Sequence, residues 1–231
     1  MVKVGGNMAG LGLFMRRRAI SSNPVTNPLK DYVFYEKLKG DGVAYIDTQY
    51  YPSSYDNFIV TFDATGIGDS LKLVMGSRES ASGKQMFLSA PRGSAFCTRF
   101  YNGDAVDIQL QSGVNKAIIQ LLPNDAGKYV VENITIDGFF NRTLSSRGSE
   151  PSEYNLRFPL MLFASNTMGT SAIDSRTFNG SIMEVKIYDA RTQEVKRSWK
   201  PCTYKGVPGL YEEVEGIFYG NSNSQGQFLA I

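Results

Sequence analysis

No histidine occurs anywhere in the 231 residues. That absence removes the base of Ser-His-Asp and Cys-His nucleophilic centres and the nitrogen ligand of the commonest zinc sites. Cysteine is nearly absent too. Cys97 and Cys202 are the two present, too few for a disulfide-stapled scaffold or, alone, for a structural metal site, and suited to a chain made and kept in a reducing compartment. No apolar run approaches the roughly 20 residues of a membrane-spanning helix, so no contact with a bilayer interior is expected. Charge of one sign is also missing: the formal net charge is +2 with 20% charged residues. Nucleic acid is therefore not an expected partner, because phosphate binding needs a basic footprint that the bulk of this chain lacks.

What remains is a chain with 42% hydrophobic residues, long enough for one large domain with a substantial core. From Asp31 onward the apolar pattern has period two rather than a helical period. "NFIVTFDATG" sets Phe58, Val60 and Phe62 against Ile59, Thr61 and Asp63, and "SIMEVKIYD" sets Met183, Val185 and Ile187 against Glu184, Lys186 and Tyr188. Further strands are expected in "LKLVMGSR", "KQMFLSA", "NKAIIQLL", "GKYVVEN", "FPLMLFASN", "GIFYGN" and "GQFLAI". Asn102-Gly103 and Asp137-Gly138 fall between strands as hairpin turns, since both pairs tolerate positive φ. "ARTQEVKRSW" reads as a turn followed by a strand carrying Val195, Arg197 and Trp199 on one face. Many short strands joined by Gly, Asn, Asp, Ser and Pro turns predict an all-β antiparallel sandwich or barrel.

Residues 1–30 differ from the rest. "MVKVGGNMAGLGLFMRRRAISSNPVTNP" has a glycine-rich apolar stretch followed by Arg16, Arg17 and Arg18, the reverse of the order in an export signal, and Pro24 and Pro28 punctuate its exit. The expectation is an extended N-terminal arm over residues 1–30 and a sandwich domain over 31–231. Leu11, Leu13, Phe14 and Met15 would be apolar anchors for a partner, with Arg16, Arg17 and Arg18 making charge-assisted hydrogen bonds at the rim.

The order of "YIDTQYYPSSYDNFIVTFDATG", "ITIDG", "FPLMLFASN", "FNGSIMEVKIYD" and "PCTYKGVPGLYEEVEGIFYGN" resembles the concanavalin A-like, laminin-G-like jelly-roll domains found in structural proteins of tailed bacteriophages and prophages, including the crAss-like group. The resemblance covers roughly residues 35–228. It implies a concanavalin A-like jelly roll in which the hairpin Phe178–Trp199 closes the sandwich, Trp199 anchors the core and the hairpin itself carries no chemistry. It further implies a non-enzymatic virion protein made in the host cytoplasm: a head fibre, capsid decoration or tail adhesion subunit. Such a protein would be held to other virion proteins by its arm, be homo-oligomeric, and display a domain for host attachment. The alternative is a glycan-binding module of a bacterial surface or secreted protein.

Candidate sites follow from residue type. A paired-carboxylate glycosidase needs two acids across a cleft about 5–10 Å apart. On the β-glucanase version of this fold they alternate along one strand as E-x-D-x-E, and no such strand is present. "YEEVEG" puts Glu212 and Glu213 on opposite faces and reads as a solvated acidic loop. Sugar binding uses aromatic faces with amides and carboxylates. "YIDTQYYPSSYDNF" concentrates these, with Tyr50, Tyr51, Tyr55, Asp56 and Asn57 as the candidate carbohydrate-binding residues and Tyr45, Asp47 and Gln49 beside them. No cofactor is implied. Calcium is the one ion that the oxygen-rich loops "KGDGVA", "YNGDAV" and "LPNDAG" would suit, although Asp and Asn beside Gly are ordinary turn residues. The sequons at Asn133, Asn141 and Asn179 read as chance without an export signal.

Overall fold

Period-two alternation becomes two facing sheets. The computed structural model describes residues 29–67, 72–79, 84–90, 95–99, 106–109, 113–137, 140–146, 149–167, 170–171 and 176–231. In chain order its strands are β1 (Tyr32–Phe34), β2 (Leu38–Gly40), β3 (Ile46–Asp47), β4 (Asp56–Asp63), β5 (Lys72–Arg78), β6 (Gln85–Ala90), β7 (Ala95–Arg99), β8 (Val106–Gln109), β9 (Val114–Pro123) and β10 (Tyr129–Ile136). They continue as β11 (Phe140–Ser146), β12 (Met161–Leu162), β13 (Asn166–Thr167), β14 (Thr170–Ser171), β15 (Ser181–Asp189), β16 (Val195–Tyr204), β17 (Val207–Glu212), β18 (Ile217–Tyr219) and β19 (Phe228–Ala230). Among the described residues no helix is long and apolar enough to cross a membrane.

One sheet runs β11-β10-β9-β4-β15-β16-β17-β18, with β1 added to β16 and the pair β19-β2 added to β15. The other runs β14-β13-β5-β6-β7-β8, with β12 joining β5 to β3. Between them lies a core to which Phe58, Val60 and Phe62 of β4, Ala117, Ile119 and Leu121 of β9, and Val74, Met75, Met86 and Leu88 of β5 and β6 contribute. Trp199 is fully buried in it, as expected of a core anchor. The hairpins expected around Asn102-Gly103 and Asp137-Gly138 have flanking strands paired antiparallel, Thr98 opposite Val106 and Ile136 opposite Phe140. Asn102, Gly103 and Gly138 themselves lie outside the described residues.

Two departures from simple alternation matter. In β15 the register slips between Ile182 and Glu184, making Met183 a bulge residue. The core face is therefore Ile182, Val185 and Ile187, all fully buried, in place of the expected Met183, Val185 and Ile187. "FPLMLFASN" forms no continuous strand. Phe163 takes φ +64, a conformation costly for a bulky side chain, and the turn it makes divides the segment. Before it, β12 pairs antiparallel with β5; after it, β13 pairs with the same β5 in parallel.

On the solvent side of the larger sheet, Tyr32, Phe34, Tyr204, Tyr211 and Phe218 form a ring cluster with centroids 4.8–6.4 Å apart. Cys202 stands opposite Phe34 and Gly209 in the same ladder and is buried, with its thiol free of any disulfide and pushed up to about 12 by burial. Cys97 is not among the side chains described.

Candidate functional site

A depression of about 340 Å³ opens at one end of the sandwich, lined by Ser53, Tyr55, Glu153, Tyr154, Asn155, Arg191 and Lys196. Three stretches remote in sequence meet there. The segment before β4 is zipped to residues 154–156: the N–H of Ser54 donates to the Tyr154 carbonyl at 2.9 Å, that of Leu156 to the Pro52 carbonyl at 2.6 Å, and Ser53 bridges to Asn155. The β15–β16 turn completes the wall, its Ala190 N–H donating to the Tyr55 carbonyl at 2.7 Å.

The floor is built from charge. Asp56 opens β4 and Asp189 closes β15, and the two are direct cross-strand partners; like charges so placed repel. Lys196 resolves the conflict, its Nζ lying 2.8 Å from Asp56 Oδ1 and 3.0 Å from Asp189 Oδ2. It reaches them through a register shift in β16: Ile187 pairs with Arg197 but Tyr188 pairs with Val195, so Lys196 is an extra residue. Regular alternation from the inward Trp199 would send Lys196 outward with Ser198 and Lys200. The bulge turns it inward, as bulges beside binding sites often do.

Every polar atom of this floor is engaged. Asp56 also accepts from Tyr50 OH at 2.8 Å, Ser53 N at 2.7 Å and Ser53 Oγ at 2.8 Å. Lys196 Nζ directs its third proton toward Ser53 Oγ at 3.4 Å. Burial by itself would lift the Asp189 carboxyl. The hydrogen bond from Lys196 and the N–H groups of Arg191 and Thr192 outweigh it and hold the group down at about 2. Burial likewise opposes the charge on Lys196, yet its bonds to Asp56 and Asp189 keep it above the ordinary lysine range.

The rim is different. Arg191 lies over the Tyr55 ring with Cζ 4.1 Å from the centroid, and its Nη1 donates to Glu153 Oε1 at 2.8 Å. Among the described residues, Arg191 Nη2, Glu153 Oε2 and the Asn155 side-chain amide make no protein hydrogen bond. The Tyr154 ring carries the Lys84 ammonium at 3.7 Å from its centroid.

The residues expected to bind carbohydrate are distributed unevenly about this site. Tyr55 lines it, although its ring is 8% exposed, covered by Arg191 and by an edge contact with Tyr129. Asp56 lies beneath it, fully buried. Tyr50 is a support: its hydroxyl is on Asp56 and its pKa is raised, chiefly by burial. Tyr51 is exposed and outside the lining, and Asn57 is buried with Oδ1 accepting from Leu121 N at 2.7 Å. Glu153, Tyr154, Asn155, Arg191 and Lys196 carry no motif. The hairpin expected to be free of chemistry supplies two of the seven lining residues, Arg191 and Lys196.

Elsewhere the acids are structural. Glu212, expected in a solvated loop, is fully buried and accepts the N–H groups of Ser198, Val214 and Glu215. Glu213 pairs with Lys200 and Glu215 with Arg197. In "KGDGVA", Asp41 is occupied by the N–H groups of Val43, Ala44 and Gln227; in "LPNDAG", Asn124 accepts those of Ala126 and Lys128. Among the described residues no group of three or more His, Cys, Asp or Glu side chains could hold a metal ion. "YNGDAV" up to Ala105, and Leu11, Leu13, Phe14, Met15, Arg16, Arg17 and Arg18, lie outside the described residues.

No protein-family model matches the chain, and no curated protein matches it. Solved structures do. A candidate carbohydrate-binding protein from Bacteroides ovatus ATCC 8483 superposes with a TM-score of 0.50 at 11% identity, over 86% of this chain and 61% of that one. The CBM40 of the Ruminococcus gnavus IT-sialidase, solved bound to α2,3 sialyllactose, gives 0.46 at 13% identity over 72% of this chain and 91% of that one. The heptameric SAP-like pentraxin of Limulus polyphemus gives 0.45 at 8%, over 70% and 77%. At such identities the likeness to the Bacteroides protein shows the fold alone. That fold is the antiparallel sandwich of the concanavalin A-like jelly roll expected from the sequence.

Proposed function

We propose that the sandwich is a carbohydrate-binding domain that holds its ligand in the pocket beside Tyr154 without cleaving it. The rim carries the proposal: an aromatic ring, an amide, a carboxylate and a guanidinium with unused hydrogen-bonding capacity surround a floor that needs no ligand to satisfy it. Sugar rings present apolar faces to aromatic side chains and hydroxyls that both donate and accept, which suits this set. The volume is at the lower end of the ~300–1,000 Å³ of small-ligand sites. The fold of the Bacteroides protein, itself a candidate carbohydrate binder, supports the reading at the level of fold. Against cleavage, a glycosidase acid needs a raised pKa, whereas Asp189 is held at about 2 and its partner Asp56 is locked on Lys196.

Binding to a glycan array tests this directly. The full chain should be retained on defined glycans, and Tyr154→Ala should weaken that retention at least about tenfold at a temperature where the variant is still folded, since Tyr154 also packs against the core. Retention that survives Tyr154→Ala together with Asn155→Ala would move the site elsewhere. A second reading, display on a tailed-phage virion, rests on the residue order in the domain and on the composition of residues 1–30. Under it the arm attaches an oligomer to the particle and the domain meets host-surface glycan. Mass spectrometry of particles with and without Arg16, Arg17 and Arg18 changed to serine would show whether incorporation depends on the arm.

A further inference from the structure

Resting on the carbohydrate reading of this pocket, we propose that it selects uncharged sugars and rejects acidic ones. An acidic sugar is held by a cation with charge to spare, and the lining offers none. Lys196 spends its three protons on Asp56, Asp189 and Ser53. Arg191 lies between two carboxylates, Glu153 at 2.8 Å and Asp189 at 3.6 Å. Lys84 does not line the pocket and rests on the Tyr154 ring. Glu150 adds a further carboxylate close by, accepting the N–H of Tyr129, whose ring meets Tyr55 edge-on.

A ligand carboxylate bonded to Arg191 Nη2 would therefore sit beside Glu153, a like charge within the range where repulsion moves a pKa. Bonded to Asn155, it would lose its hydration for a neutral donor. A hydroxyl meets no such conflict, because it can accept from Arg191 Nη2 or Asn155 Nδ2 while donating to Glu153 Oε2. Adjacent hydroxyls on one ring could span the guanidinium and the carboxylate together. Glu153 is thus the specificity-determining residue, and its removal frees Arg191 for an acidic partner.

The test prints neutral oligosaccharide cores beside the same cores bearing sialic acid, uronic acid or sulfate, and probes them with the full chain and with Glu153→Gln. Wild type should be retained on neutral members, equally at about 50 and 500 mM NaCl since exposed ion pairs would be screened over that range. Acid-bearing versions of the same cores should be retained about two- to fivefold less at the lower salt, because Glu153 and Arg191 are partly exposed, and Glu153→Gln should narrow that gap. Retention that requires the acidic group, or acidic and neutral members bound alike by wild type, overturns the inference and leaves carbohydrate binding standing. Retention on no member overturns both.

Discussion

Trp199 is the chain's one tryptophan, which makes a buried side chain into a reporter. Its indole is fully buried among core residues, meets Tyr219 edge-on at 6.5 Å, and leaves Nε1 without a hydrogen-bond partner. Emptying so large a site costs about 3–5 kcal/mol, and Trp199→Ala should lower the denaturant midpoint accordingly. Trp199→Phe should cost less than half of that. The indole N–H gains nothing from the fold, so only part of the packing is lost. Unfolding followed by circular dichroism checks both, and wild-type fluorescence should shift red as the core opens. Equal losses for the two variants would mean that Nε1 does have a partner. Trp199 was legible in the sequence because it lies two residues from Arg197 and opposite Val185, but Val195, expected on the same face, is exposed beyond the bulge at Lys196 and pairs with the outward Tyr188. Glu212 was not legible, because a strand-end carboxylate that folds back onto three backbone N–H groups looks in sequence like any other acid near a glycine.

At the scale of the element, the β15–β16 hairpin shows what periodicity can and cannot convey. Its pairing follows from alternation, but parity is blind to an extra residue. The bulge at Met183 exchanges it for Ile182 in the core, and the bulge at Lys196 carries a lysine from the outer face to the floor of the pocket. The rest of the site was hidden for a related reason: Glu153, Tyr154 and Asn155 lie about a hundred residues from Ser53 and are brought to it by irregular backbone pairing. The same hairpin sets the response to acid. Asp189 is held at about 2 against an ordinary 3.8, so its contribution is fully present above about pH 4 and is lost as pH falls through about 2. That difference corresponds to about 2 kcal/mol. Asp189→Asn should lose roughly this much at neutral pH and show a flatter stability profile between about pH 4 and 2. A variant whose acid profile parallels wild type would show that other carboxylates govern the transition.

For the whole molecule, the jelly roll was legible because strand alternation, turn chemistry and segment order all agree over residues 35–228, while the end that carries the pocket depends on contacts that none of those signals encodes. Among the described residues the core runs from Leu38 to Phe228. Its closure is made by the last strand: β19 pairs with β2, Phe228 packs on Phe163 with centroids 4.8 Å apart, and Lys37 and Ile231 exchange backbone hydrogen bonds at 2.9 and 3.0 Å. Two truncations should therefore diverge. A chain starting at Asp31 should melt within about 2 °C of the full chain, which for a domain of this size is less than ~1 kcal/mol. A chain stopping at Gly226 loses Phe228 and the ladder to β2. It should melt lower by several degrees, since a buried aromatic alone is worth about 3–5 kcal/mol. Differential scanning calorimetry of the three chains decides it. A large drop for the first truncation would mean that residues 1–30 contribute to the folded sandwich, and a negligible drop for the second would mean that β2 and β15 close the sheet without β19.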